Sequence, residues 1–248
     1  MRADRGRRLG AGDGFNLDAI DALETHYGNP RTHQPLDLGH AAAAELLDWL
    51  GFTNVDRTPD ETVTANTPET VSGYILTRQA DLYGRCIAFV GRDQPPQPSG
   101  APVFVDVSML KTTANHHLVT TGLVYPTYYR ALFPDLRNEL TTAVNAARAA
   151  GRGVWPQDRT TAGAEVNGLA SVEDDVVIVP KLFRRLVDYF RLGDDSLAGF
   201  PAFLDQAADR FFILSTGHST TGLDQVVEVN GNTLRMTHPI EDLVFDEK

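Results

Sequence analysis

The sequence predicts an α+β fold, on three observations. Short segments that alternate apolar and polar residues, as in residues 15–22, recur along the chain and read as strands. A few longer segments repeat apolar residues at spacings of three and four, which is the helical period. The two kinds are interspersed without an internal repeat, which points to mixed short sheets with helices packed on them. The chain has 248 residues, 42% hydrophobic and 22% charged, enough for one large domain or a domain with an appendage.

Residues 1–14 hold four glycines and no apolar period, so they read as a flexible leader. Phe15, Leu17 and Ala19 alternate with Asn16 and Asp18, a strand pattern. Residues 25–36, with Gly28, Pro30 and Pro35, form a loop. Asp37 reads as a helix N-cap ahead of the stripe Leu38, Ala41, Ala42, Leu46 and Leu50, with Gly51 as the stop. Residues 53–72 are rich in threonine and punctuated by proline, with a strand-like piece at 61–65. Residues 73–78 and 85–90 read as two strands around a turn at 79–84. A proline-rich loop at 93–102 precedes an expected strand at 103–107 and a short helix at 114–122.

Residues 131–151 give the clearest helix, through Leu132, Leu136, Leu140, Val144 and Ala147, ending at Gly151 with Trp155 free to pack back. Residues 157–171 are small and polar, a linker in composition. Beyond them a strand at 176–179, helices at 181–192 and 197–207, and a strand at 211–214 are expected. A hairpin over 224–236 would turn at Asn230-Gly231, a strong two-residue turn signal.

The formal charge is −11, yet the first eight residues carry four Arg and one Asp. Residues 9–158 and 159–248 each carry a net −7, which argues against coating DNA through bulk charge but leaves room for a small basic pocket. Arginine outnumbers lysine 19 to 3, a compositional bias and not a functional sign. The single Cys86 excludes an internal disulfide framework and a cysteine-rich zinc site. No apolar run reaches about 18 residues, so no transmembrane helix and no membrane partner are expected. The basic start lacks an apolar region after it, so the expected compartment is the cytoplasm, with secretion open if the start is truncated. Nothing in the sequence fixes the oligomeric state.

Four pieces carry the chemistry: Phe15-x-Leu-x-x-Ile-Asp21-Ala-x-Glu24-Thr, Asp81-x-Tyr-Gly-Arg85-x-x-Ala-Phe, Asn115-x-x-Leu-x-x-x-Gly-Leu123, and a long helix ending in Gly153-Val-Trp155. In that order and at these intervals they resemble the staphylococcal nuclease-like (thermonuclease) family over residues 15–158. The resemblance implies an OB-type five-stranded β-barrel with about three helices. Residues 159–248 would then be a C-terminal α+β extension, expected to pack on the barrel because about 90 residues make a marginal core of their own.

The resemblance also implies a phosphodiesterase that acts on DNA or RNA with one divalent metal, most often Ca²⁺. Asp21 falls on a metal-binding aspartate, and Ala22 where the family offers a backbone carbonyl. Glu24 falls on the residue that activates water, and Arg85 on a phosphate-binding arginine. Tyr128 lies near a nucleotide-stacking tyrosine. The residue types suit these roles: hard cations take oxygen ligands, a carboxylate can take a proton from water, and a guanidinium matches two phosphate oxygens.

Two positions depart from the pattern. Asn16 stands where the family has a further phosphate arginine, and its amide cannot clamp a phosphate as an arginine would. The family's first metal aspartate falls in the leader, where Asp4 and Asp13 lack its strand context. A second reading therefore stands beside the enzyme: a non-catalytic module that keeps the fold and binds nucleic acid or protein.

Other features read as structural. His26, His33 and His40 recur every seven residues, but Pro30 and Pro35 break any shared helix face. Lys181, Arg184 and Arg185 share one face of an expected helix and read as its solvated side. Gly217-His218-Ser219 approaches a nucleophile elbow, but a hairpin, not a helix, should follow it.

Overall fold

The computed structural model describes residues 2–4 (backbone only), 15–58 and 61–247. In chain order the elements are β1 (Arg2–Asp4), β2 (Phe15–Leu17), β3 (Ile20–Ala22), α1 (Leu36–Leu50), β4 (Asn54–Arg57), β5 (Val63–Thr67), β6 (Gly73–Ala80) and β7 (Cys86–Arg92). Next come α2 (Val107–Leu110), α3 (Ala114–Thr121), β8 (Val124–Pro126), β9 (Tyr128–Tyr129), α4 (Pro134–Ala149), β10 (Ala164–Glu165), α5 (Leu169–Asp174) and α6 (Pro180–Phe190). The chain ends through α7 (Phe200–Ala207), β11 (Arg210–Ile213), β12 (His218–Thr221), β13 (Val227–Asn230), β14 (Thr233–Met236) and β15 (Leu243–Phe245). The fold is α+β, with several small sheets, none of which closes into a barrel among the described residues.

The chain divides into two compact units, one of residues 1–18 and 43–118, the other of residues 19–42 and 119–247. In the first, β1, β6, β7 and β2 form one sheet in that order. The β1–β6 and β6–β7 pairs are antiparallel, whereas β2 runs parallel to β7, with Phe15 opposite Cys86. Asn115, at the start of α3, is fully buried and secures the end of this parallel pair. Its Oδ1 accepts from the Val90 amide at 3.0 Å, and its Nδ2 donates to the carbonyls of Asp18 at 2.8 Å and Ala88 at 3.1 Å. A side-chain amide is suited to this because it offers donors and an acceptor together.

In the second unit β3 pairs with β8, β12-β11-β15-β9 form a mixed sheet, and β10-β14-β13 a third. Leu136, Leu140, Val144 and Ala147 of α4 are buried as their spacing requires, and α6 buries Leu182, Phe183, Leu186, Val187 and Phe190. Each such side chain withdrawn from water contributes about 1.5–3 kcal/mol. The motif glycines Gly122 and Gly153 meet backbone to backbone. Val154 N–H donates to the Gly122 carbonyl at 2.9 Å, and a Cβ on Gly153 would lie 2.1 Å from that oxygen. Both have positive φ, so glycine is required twice over.

Several sequence expectations need correcting. Residues 15–22 are not one strand: Ala19 takes a left-handed φ of 67° and separates β2 from β3. Part of the expected leader is β1, while residues 5–14 lie outside the described residues. Asp37 lies in the first turn of α1 and is not its N-cap. No strand forms at 103–107, because Asp106 accepts from the Met109 amide and caps α2. Residues 176–179 make a single bridge, Val177 to Asp158, and no strand. The composition of 157–171 reads as a linker, yet Thr160, Ala164 and Val166 are buried and the second unit runs through residue 158 without a break. The hairpin's two loop residues are Gly231 and Asn232, since Asn230 pairs with Thr233. Its β14 edge is covered by β10.

Candidate functional site

Glu24 lies two residues past the end of β3, and its backbone is pinned on both sides. The Gln34 amide donates to the Glu24 carbonyl at 2.8 Å, and the Gln34 Oε1 accepts from the Glu24 N–H at 3.2 Å. Gln34 is itself fully buried and donates from Nε2 to the Ile178 carbonyl at 2.8 Å. Asp21 sits in β3 opposite Tyr125. Asp21 and Glu24, three residues apart and across a strand end, turn their carboxylates to one guanidinium, that of Arg184 on α6. Arg184 Nη2 donates to Asp21 Oδ2 at 2.7 Å, and Nη1 to Glu24 Oε1 at 2.5 Å and to Asp21 Oδ1 at 3.4 Å.

All three side chains are half-buried, with 21% of Asp21, 22% of Glu24 and 28% of Arg184 exposed. Burial raises the proton affinity of Glu24 above its ordinary value. Arg184 pulls it down and the neighbouring Asp21 charge pushes it up, and burial prevails. Burial works against the Arg184 charge, but the two carboxylates outweigh it and hold the guanidinium protonated.

The ladder sets the Ala22 carbonyl. Thr127 N–H donates to the Ala19 carbonyl, so Ala19–Thr127 is a hydrogen-bonded pair and, two residues on, so is Asp21–Tyr125. Ala22–Val124 falls between such pairs, and the Ala22 carbonyl is directed away from β8. Asp21, Glu24 and this carbonyl are all oxygen donors, which fits a hard divalent cation in kind. Among the described residues no group of three or more His, Cys, Asp and Glu side chains gathers as a metal cage.

The rest of the cationic face of α6 is also paired, so its reading as a solvated side is corrected. Arg185 donates from Nε to the buried Asp209 at 2.8 Å, and Lys181 Nζ lies 3.7 Å from the same carboxylate. Arg191, just past α6, donates from one Nη2 to the carbonyls of Tyr27 and Pro30 and to Thr32 Oγ1. Tyr27 in turn donates to Asp188 at 3.0 Å. These bonds fasten the loop after Glu24 to α6.

Tyr128 is fully buried, and its hydroxyl meets Thr141 Oγ1 at 3.0 Å. Burial, opposed by that bond, drives its phenol far above the ordinary value. A ring in this position cannot stack on a nucleotide, so the expected stacking role is corrected. The neighbouring Tyr129 is less buried. Burial and then the Asp21 charge raise its phenol, which puts it in the field of the carboxylate cluster. Adjacent residues of a strand face opposite ways, and the pair Tyr-Tyr does not say which ring faces in.

Asn16 and Arg85 converge elsewhere, on Asp81 in the first unit. Asn16 Nδ2 donates to Asp81 Oδ2 at 2.9 Å, and Arg85 Nε to the same oxygen at 2.7 Å. The amides of Tyr83 and Arg85 donate to Asp81 Oδ1, each at 2.9 Å. Partial burial would raise the Asp81 carboxyl, but the Arg85 and Tyr83 donors outweigh it and hold it below the ordinary value. The turn presents Tyr83, 84% exposed, with the Arg85 guanidinium 5.2 Å from its ring centre.

Arg184 is the residue that sequence reasoning missed. Its signal was the placing of three cations on one face of a helix whose other face is largely apolar. No protein-family model matches the chain, and no curated protein gives a significant match. Among the described residues no helix is long and apolar enough to cross a membrane.

Proposed function

We propose that the chain is a metal-dependent phosphodiesterase of staphylococcal nuclease-like type that acts on nucleic acid, with Asp21 and Glu24 at its centre. One observation carries this reading. The two carboxylates that the resemblance singles out, Asp21 and Glu24, share one half-buried guanidinium, and burial raises the proton affinity of Glu24.

Two further points support it. Asn115, Gly122 and Gly153, which the resemblance also draws on, each have a definite structural duty. A closed barrel of five strands cannot alternate direction all the way round, so one neighbouring pair must run parallel. The parallel β2–β7 pair in an otherwise antiparallel sheet suits the barrel that belongs to this proposal.

Asp21 and the Ala22 carbonyl would hold the cation, most simply Ca²⁺. Such a cation supplies polarisation of the phosphoryl oxygen and neutralises charge that develops there. Glu24, pinned by Gln34, holds its carboxylate where it can take a proton from an attacking water, and its raised proton affinity brings it closer to neutral pH, where a base works best. Arg85 has its own role at the hairpin tip. Its Nε is held by Asp81, which leaves the terminal nitrogens to a phosphate group.

The reading is tested by incubating plasmid DNA and RNA with the full chain, with Ca²⁺ and with a chelator. Cleavage that requires the metal is expected. The second reading, a binding module without catalysis, has its own observation: Asp21 and Glu24 are both engaged by Arg184. The resemblance adds that Asn16 stands where the family has an arginine. Protein that is inert with every divalent metal yet still binds single strands would favour it.

A further inference from the structure

We propose that Arg184 is a built-in stand-in for the divalent cation: it holds Asp21 and Glu24 together in the metal-free protein, yields them when a cation binds, and so sets the affinity of the site for metal. The proposal rests on the reading of Asp21 as a cation ligand.

The geometry is that of a substitute ion. One guanidinium meets both oxygens of Asp21, at 2.7 and 3.4 Å, and one oxygen of Glu24 at 2.5 Å. Two half-buried carboxylates this close repel each other, and a positive partner relieves that repulsion. Among the described residues Arg184 is the one arginine or lysine in ion-pair contact with either of them. The other cations of α6 are committed to other acceptors: Lys181 and Arg185 to Asp209, and Arg191 to the loop of Tyr27, Pro30 and Thr32.

Charge then decides what a metal must do. Two carboxylates and one guanidinium sum to −1, and two carboxylates with a divalent cation sum to zero. All of them together would sum to +1 in a partly desolvated place, with two positive centres facing the same oxygens. The guanidinium and the metal therefore compete. Arg184 can leave, because 28% of its side chain meets solvent and it sits on a long flexible stem. Once released, it presents a planar fork of donors beside the site, which is the geometry that phosphate oxygens take.

The test is calorimetric titration of the full chain with Ca²⁺, on the unaltered protein, Arg184→Gln and Arg184→Lys. Removing the competing charge is expected to tighten Ca²⁺ binding by roughly tenfold or more in Arg184→Gln, and far less in Arg184→Lys, which keeps the charge. Equal or weaker binding in a folded Arg184→Gln would overturn the competition while leaving Asp21 as a ligand. Absence of Ca²⁺ binding in all three proteins would overturn the metal reading with it.

A second measurement needs no variant, in case Arg184→Gln fails to fold. The Arg184 side-chain Nε–H signal in ¹⁵N NMR is expected to move during the Ca²⁺ titration of the unaltered chain. A signal that stays in place while Ca²⁺ binds would also defeat the proposal.

Discussion

Two arginine–carboxylate clusters organise the residues of interest, and they are built on opposite plans. Around Asp81 everything is close in sequence except Asn16: Tyr83 and Arg85 come from the same turn, and the Arg85 side chain remains 46% exposed. Around Arg184 the partners are 160 and 163 residues away, and all three side chains are half-buried. The first cluster shapes a turn. The second joins β3 to α6 and withdraws two like charges from water. A local pair whose arginine is largely exposed contributes little to stability, whereas one whose arginine is itself withdrawn from water leaves a large cost behind when one member is removed.

The sharpest way to break this contrast lies on α6. Asp209 is 1% exposed and answers both Arg185 and Lys181. Asp209→Asn takes from Arg185 and Lys181 the buried carboxylate they share, and a loss of about 3 kcal/mol is expected in urea unfolding. Arg184→Ala, at a partly exposed site, is expected to cost about 2 kcal/mol. Arg85→Ala should fall within about 0.5 kcal/mol of the unaltered chain, as surface changes do. Equal losses for Arg184→Ala and Arg85→Ala would erase the distinction.

The smallest effect is in pH dependence, and its sign differs between the clusters. Burial raises Glu24 above 4.5, so the native state holds that proton more tightly than the unfolded one. Its contribution is present below pH 4.5 and is lost as pH rises through the native value. Asp81 is lowered from 3.8, so its contribution is present above that value and lost as pH falls through the native one. Unfolding free energies measured across pH should lose the first slope in Glu24→Gln and the second in Asp81→Asn. Identical pH profiles for the two variants would contradict the assignment.

The same contrast explains what the sequence made legible. The spacing of Leu136, Leu140 and Val144 marks α4, and the Asp81–Arg85 turn can be read from five consecutive residues, because local contacts follow local pattern. Asp21 and Glu24 stand out by their place in an ordered set of motifs. Their partner does not, since nothing near Arg184 in sequence names a carboxylate far upstream. The burial of Tyr128 in place of Tyr129 depends on which way a two-residue strand faces. Val103 and Val105 look like a strand and are buried, yet Asp106 caps a helix and the apolar residues pack without a ladder. The small residues of 157–171 look like a linker for a related reason: alanine, threonine and valine bury as readily as they are exposed, and only tertiary packing decides.

The proposed centre at Asp21, Glu24 and Arg184 is tested most directly by the rate at which Glu24→Gln cleaves DNA and RNA with Ca²⁺, compared with the unaltered chain at the same folded fraction. The substitution keeps the shape of the side chain and removes its ability to take a proton. A fall of about 10²–10⁴-fold is expected for the loss of a general base. A variant that is folded and cleaves at the unaltered rate would contradict the account.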